Sequence, residues 1–243
     1  RGEFLAWRDR LAIKSRRNAD YRFAILARVL SWGLNRGLIS TNPCEKPGKL
    51  YRANRKDKVW TAQDEAAFYE KAPAHMHLAL TLALWTGQRQ GDLLALTWGQ
   101  YDGTHFRLSQ LKTGKRVIIP VAKGLRGELD RLRSQLALPN DQQRMHHILR
   151  TTLDRPWTRF GFGSSWRKAC TKAGVVGLTY HDLRGTAVTR LALAGCSEAE
   201  IATITGHSMK DVGSILDAHY LHRDSRLAES AIRKLEESVE NSN

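Results

Sequence analysis

Helix starts and stops recur at short intervals along this chain, and they restrict it to a fold built mostly from short helices. Thr61-Ala-Gln-Asp64 and Ser197-Glu-Ala-Glu200 each place a hydroxyl where it accepts from a backbone N–H three residues on, with a carboxylate placed to return the bond. Thr179-Tyr-His-Asp182 and Ser208-Met-Lys-Asp211 have the same form. Gly87, Gly195 and Gly206 close apolar runs, as a residue without Cβ does at a helix end. These signals predict helices over 75–85, 92–96 and 165–173, then from the Thr179 box to Gly195, from Ser197 to Gly206, and onward from Ser208. Leu125, Leu129, Leu132 and Leu136 form a further helical stripe. The exception lies between them, where Asp102-Gly103 and Thr113-Gly114 are turn dipeptides beside the runs 105–111 and 116–121. These predict a small antiparallel sheet of two or three strands. The fold class that follows is α+β, mainly α-helical.

Ahead of residue 60 the pattern differs. Tyr21, Ile25, Val29 and Trp32 recur at helical spacing between Asn18, read as an N-cap, and Gly33. Residues 38–58, with Pro43, Pro47 and Gly48 and the cations Arg52, Arg55, Lys56 and Lys58, read as a basic linker. The chain opens inside what reads as a helix pair, so its first ~42 residues are expected to be the end of a larger unit.

A chain of 243 residues, 42% hydrophobic and 26% charged, is a folded protein rather than a disordered or fibrous one. Cys44, Cys170 and Cys196 are widely spaced and odd in number, which gives neither a disulfide framework nor zinc spacing and fits a reducing compartment. No apolar run approaches ~18 residues, so a cytoplasmic location is expected. The net charge of +15 points to a polyanion, nucleic acid before membrane. Residues 1–60 hold 15 basic and 5 acidic side chains, a net of +10, while residues 221–243 carry a net of −1. The basic end is thus a separate electrostatic unit.

Four segments place a cation or titratable group at a helix end or hairpin: Thr86-Gly-Gln-Arg89-Gln-Gly-Asp92, Leu111-Lys112-Thr-Gly, His181-Asp-Leu-Arg184 and Gly206-His207. Tyr220 follows within Ala-His-Tyr-Leu-His. Singly, each has an ordinary reading: Arg89 as a surface ion pair with Asp92, Lys112 as a solvated turn residue, the histidines as satisfied and buried, Tyr220 as a core aromatic. The glycines at 195 and 206 also suggest a helix-turn-helix.

In this order the set resembles the catalytic constellation of the tyrosine recombinases, the phage integrase family. Thr86 to Trp98 matches the family's first arginine box, which assigns Arg89. Lys112 with Thr113 and Ile119-Pro120 matches its hairpin lysine. His181, Leu183, Arg184 and Thr186 match its second box, with Gly185 in place of the usual second histidine, and Gly206-His207 matches its Gly-His. Tyr220-Leu221-His222 falls where the nucleophile is expected, 13 residues after His207, a longer gap than usual that implies an insertion. The resemblance implies an integrase-type catalytic domain over 60–222, preceded by the C-terminal part of a helical core-binding domain over 1–45 and a linker over 46–59. Residues 223–243 become a tail helix that docks on a neighbouring protomer, with the stripe Leu227, Ala231, Leu235 and Val239.

Such residues must act together. Breaking a phosphodiester without a metal takes a nucleophile, a proton donor for the leaving oxygen, and cations for the growing charge. A phenol is a weak nucleophile near neutrality unless positive charge or a base assists it. Arginines offer planar forks of permanent charge, so Arg89 and Arg184 would clamp the phosphate, whereas a lysine can titrate and Lys112 would protonate the leaving 5′-oxygen. His181 and His207 would bond the phosphate or manage the tyrosine proton. The phosphotyrosine ester keeps the bond energy, so neither cofactor nor metal is expected. The implied partners are double-stranded DNA at crossover sites, further protomers in a tetramer, and accessory DNA-bending or excision factors. Arg52, Arg55, Lys56 and Lys58 would contact DNA. The alternatives are a catalytically inactive DNA-binding regulator of the same fold, a type IB topoisomerase-like enzyme, and a metal nuclease using His219 and His222.

Overall fold

The computed structural model describes residues 1–52, 58–136, 138–219 and 225–240. The chain forms two compact units, Arg1–Arg55 and Lys56–Asn243.

In the first unit, α1 (Gly2–Lys14) and α2 (Arg16–Leu34) are divided at Ser15, whose extended backbone interrupts the helix and whose hydroxyl accepts from the Asn18 amide at 3.3 Å. The cap is therefore Ser15 and not Asn18, because Arg16 and Arg17 are good helix formers and carry the helix back to the first hydroxyl. Ala19 and Phe23 are the buried face of α2, with the Trp7 ring 6.4 Å from that of Phe23 and the Arg8 guanidinium 5.2 Å from the Phe23 ring centre. The stripe of Tyr21, Ile25, Val29 and Trp32 faces solvent instead. After α2 the chain stays fastened to the helices. The Asn42 amide donates to the Ala27 carbonyl and Ser31 hydroxyl and accepts from the Cys44 amide. Arg8 donates to the carbonyls of Pro47 and Gly48, and Asp20 accepts from the amides of Leu50 and Tyr51. This attachment reaches well into the stretch that reads as a linker.

The second unit opens with the Thr61 capping box, which starts α3 (Ala62–Lys71), and after a tight turn at Ala74–Met76 comes α4 (His77–Thr86). Most of α4 is buried on every side, which marks it as the central helix. A short α5 (Gln90–Leu94) leads to a hairpin in which β1 (His105–Ser109) and β2 (Arg116–Pro120) pair antiparallel, His105 opposite Pro120 and Ser109 opposite Arg116. The sheet stops at two strands, and Tyr101 adds only a single bridge to Phe106. Then follow α6 (Lys123–Ser134), α7 (Asn140–Met145), α8 (Arg159–Ala173), α9 (Asp182–Leu193), α10 (Glu198–Thr205), α11 (Met209–His219) and α12 (Ser225–Glu240).

Boundaries in this unit differ from the sequence pattern at several points: α4 begins at His77 and not His75, and β1 ends at Ser109 and not Leu111. α5 ends at Leu94 and not Leu96, and α8 begins at Arg159 and not Ser165, because the Thr158 hydroxyl accepts from the Gly161 amide and caps it early. Gly161 and Gly163 had thinned the apolar period there.

The main core joins α3, α4, α8 and the hairpin. At one end Trp60, Phe68, Phe162, Trp166 and Tyr180 interlock, with Phe68 and Trp166 stacked at 4.7 Å and Tyr180 edge-on to Trp166 at 4.7 Å. Each buried ring contributes on the order of 2 kcal/mol. This cluster seats the start of α9, because the Tyr180 hydroxyl donates to the Ala79 carbonyl on α4 at 2.9 Å and the Trp60 amide to the Thr186 hydroxyl at 3.0 Å. A second cluster, Val188, Ala192, Ile201, Val212 and Leu216, joins α9 to α10 and α11. Among the described residues no helix is long and apolar enough to cross a membrane.

Candidate active site

Gly87 ends α4 in the left-handed region at φ +61, and a Cβ there would stand 2.8 Å from the Thr205 methyl. The reversal places Arg89 at the start of α5. Across from it, Arg184 lies in the first turn of α9 and is only 4% exposed. Its Nη1 donates to the carbonyls of Gly87 and Thr205, and its Nε donates to His207 Nε2 at 3.0 Å. Thus one guanidinium ties together the end of α4, the end of α10 and the turn after α10. Its Nη2 is buried and has no hydrogen-bond partner. Burial chiefly, and then the Arg89 charge, push the Arg184 pKa down to about 9, with Asp92 and Asp211 offsetting only part of this. It remains a cation at neutral pH.

The tautomer of His207 follows from its neighbours. The Thr205 hydroxyl donates its one proton to the Ile201 carbonyl at 2.6 Å, so it accepts from His207 Nδ1 at 2.8 Å. Nδ1 therefore carries the proton, and Nε2 keeps the lone pair that meets Arg184. Burial, then the charges of Arg184 and Arg89, lower the His207 pKa to about 3, with a smaller push from His181 and opposition from Asp211. The imidazole is neutral at pH 7.

The hairpin closes another side. Asp92, 5% exposed, accepts from the Leu111 amide at 2.7 Å and stands 3.9 Å from Arg89 Nη1. Gln110, at the end of β1, accepts from Arg89 Nη1 at 2.8 Å and donates to the Thr205 carbonyl at 2.9 Å. Lys112 sits on the hairpin turn with its side chain exposed, and Lys115 Nζ reaches the His207 carbonyl at 3.4 Å.

The structure thus brings Arg89, Arg184 and His207 into one bonded cluster. It places His181 just before α9, exposed and close enough that a protonated ring would lower the His207 pKa, and it anchors the backbone beside Lys112. Tyr220, the expected nucleophile, lies outside the described residues, as do Arg55, Lys56 and His222. Arg52 is exposed in the first unit, and the Lys58 ammonium in the second lies beside Gly177. Tyr101 and Tyr180 are unsuited to attack. Both hydroxyls are bonded inside the core, and burial raises both pKa values, that of Tyr101 to about 12. Among the described residues no group of three or more His, Cys, Asp or Glu side chains could hold a metal ion.

Gln88, Gln110, Thr205 and Asp211 are participants that the sequence did not point to. Thr205 directly precedes Gly206-His207, but a threonine inside a helix carries no signal of its own. The two glutamines look like surface residues until the fold buries them.

The phage integrase family pattern matches residues 56–226. The chain belongs to the phage integrase family. Among relatives, the shufflon-specific DNA recombinase of Escherichia coli is 29% identical over 188 residues, 75% of this chain and 44% of that protein. The chain therefore spans less than half of that relative's length. Among solved structures, a lambda integrase dimer bound to a COC′ core site superposes with a TM-score of 0.74 at 22% identity, over 92% of this chain and 65% of that one. A lambda integrase tetramer bound to a Holliday junction gives 0.69 at 23% identity, over 85% and 63%. At these identities the structures show a shared fold, the mainly helical integrase catalytic fold with its small two-stranded sheet.

Proposed function

We propose that this integrase-family chain is a site-specific DNA recombinase, the integrase of a phage or other mobile element, which cleaves and rejoins DNA strands through a 3′-phosphotyrosine intermediate. The observation that carries this reading is the buried, incompletely compensated cation Arg184, with an unpartnered Nη2 and the Arg89 charge bearing on it. A buried donor without an acceptor is costly, and a phosphodiester oxygen supplies both the missing acceptor and the missing charge. The Tyr220 oxygen attacks phosphorus, the bond to the 5′-oxygen breaks, and Lys112 gives that oxygen its proton. His181 handles the tyrosine proton or a phosphate oxygen, and neutral His207 can share that work only when DNA frees its Nε2 from Arg184. Reversal by a 5′-hydroxyl restores the strand and the tyrosine.

Lambda integrase is described as a dimer on a core site and a tetramer on a Holliday junction. By the same logic the partners here are duplex DNA, contacted by Arg52, Arg55, Lys56 and Lys58 among others, and further protomers in a four-membered assembly. In that assembly residues 223–243 dock on a neighbour. In the single chain the α12 residue Lys234 lies beside Gly195 of its own chain, so docking in trans requires the tail to exchange.

The test is covalent trapping on a nicked suicide duplex carrying the crossover site. Wild type should form a protein–DNA adduct, and Tyr220→Phe should form none while binding DNA within a few-fold of wild type. An adduct that persists in Tyr220→Phe sinks the assignment.

A further inference from the structure

We propose that Gln110 is a positioning residue of the strand-transfer site: its one amide aims the Arg89 guanidinium and holds the Lys112 hairpin against the Thr205–His207 turn. The inference rests on the strand-transfer reading above.

Gln110 is 1% exposed, and its side chain uses all of its bonding capacity. An amide has two N–H donors and two acceptor lone pairs. Oε1 accepts from Arg89 Nη1 at 2.8 Å and from the Thr113 hydroxyl at 3.0 Å. Nε2 donates to the Thr205 carbonyl at 2.9 Å and to Gln88 Oε1 at 2.7 Å. Chemistry fixes which end is which, because a guanidinium only donates and a carbonyl only accepts. Gln88 reinforces the choice, since its own Nε2 is committed to the carbonyls of Thr86 and Ile204 at 3.0 and 2.9 Å. No other side chain of this size offers two donors and two acceptors in that geometry.

The backbone of the same residue forms the turn. The Gln110 carbonyl accepts from the amides of Thr113 and Gly114, and its amide donates to the Lys115 carbonyl at 2.8 Å. Lys112 lies inside that loop, so the residue that aims Arg89 also fixes the base of the hairpin. Gly206 belongs to the device as well. A Cβ there would fall 2.4 Å from Gln110 Nε2, so a side chain at 206 would displace the amide.

Two substitutions separate this role from plain packing. Gln110→Met keeps length and bulk and removes every bond of the amide. Thr113→Val removes one hydroxyl from an exposed residue and leaves the core untouched. Adduct formation is timed on two nicked duplexes with the crossover site, one with the normal 5′-bridging oxygen and one with sulfur, which leaves without a proton. Gln110→Met should slow the oxygen substrate ~100-fold and the sulfur substrate ~10-fold, since a misplaced group near the reacting atoms is worth about two orders of magnitude. Thr113→Val should cost ~10-fold on oxygen and under ~2-fold on sulfur. DNA binding should stay within a few-fold in both. Losses equal on the two substrates, or oxygen rates within ~2-fold of wild type in both variants, overturn the inference while leaving the strand-transfer reading intact. A wild-type chain that forms no adduct on either duplex overturns the strand-transfer reading instead. In that case ¹⁵N-arginine spectra still judge the geometry, because slow rotation of the Arg89 guanidinium should vanish in Gln110→Met, and its persistence refutes the contact.

Discussion

His207 makes the site sensitive to acid in a direction that its surroundings determine. Its pKa in the folded chain is about 3, below the ordinary 6.5, so under pH 6.5 the unfolded chain takes up a proton that the fold refuses. Stability is therefore full above pH 6.5 and falls as pH drops toward 3. His207→Gln, which cannot titrate, should show a shallower decline in melting temperature between pH 7 and 5, and parallel curves would refute the assignment. Arg89→Lys tests the fork. Lysine keeps the charge but cannot bond Gln110 and a phosphate together, so cleavage should fall by ~10- to 100-fold with binding little changed. Equal losses in both would indicate simple electrostatic docking. Arg89, Arg184 and His207 were legible in the sequence because each sits in a recognisable local context. Gln110 was not, since a buried amide leaves no periodic trace and all but one of its partners come from two distant segments, Gln88–Arg89 and Thr205.

At the scale of elements, the site depends on helix ends. The Ser197 box holds the start of α10, and the other end of α10 presents the Ile204 and Thr205 carbonyls to Gln88, Gln110 and Arg184. Ser197→Ala should cost ~1 kcal/mol, a fall in Tm of roughly 2–4 °C by calorimetry, and an unchanged Tm would show the cap to be idle. Such boxes and stopping glycines are local chemistry, which is why α3, α4, α10 and α11 could be placed from sequence. Boundaries failed where a cap lay outside the apolar pattern, as Thr158 does for α8 and Ser15 for α2. The stripe on α2 failed for a different reason. Periodicity identifies an apolar face but not its neighbour, and Phe23 and Ala19, one step round the helix, are what α1 covers. On the hairpin, Lys112→Ala should lose activity on the oxygen-bridged duplex and regain most of it with sulfur. A loss that sulfur leaves unchanged would remove the proton-donor role.

Over the whole molecule, charge and site are divided between the two units. The first unit, residues 1–55, holds 13 basic and 4 acidic side chains, a net +9 of the total +15, whereas the bonded cluster of Arg89, Arg184 and His207 lies in the second unit. Removing residues 1–55 should flatten the dependence of log affinity on log salt, by ~0.9 for each phosphate no longer neutralised. An unchanged slope would place the phosphate contacts in the second unit. The cluster also has a bearing on how the chain folds. Arg184 meets Gly87 across 97 residues, Gln110 meets Thr205 across 95 and Gln88 meets Ile204 across 116. Contacts this distant in sequence close late, after the local helices have formed. If the chain acts as proposed, a nascent or partly unfolded form would hold its helices and exposed cations, and could bind DNA, before it holds a centre able to cut. The Tyr180–Ala79 and Trp60–Thr186 bonds of the aromatic core span 101 and 126 residues, so core and centre close together: in refolding experiments helix signal should come first and tryptophan burial and strand cleavage should then recover in one phase, and burial well ahead of cleavage would refute this.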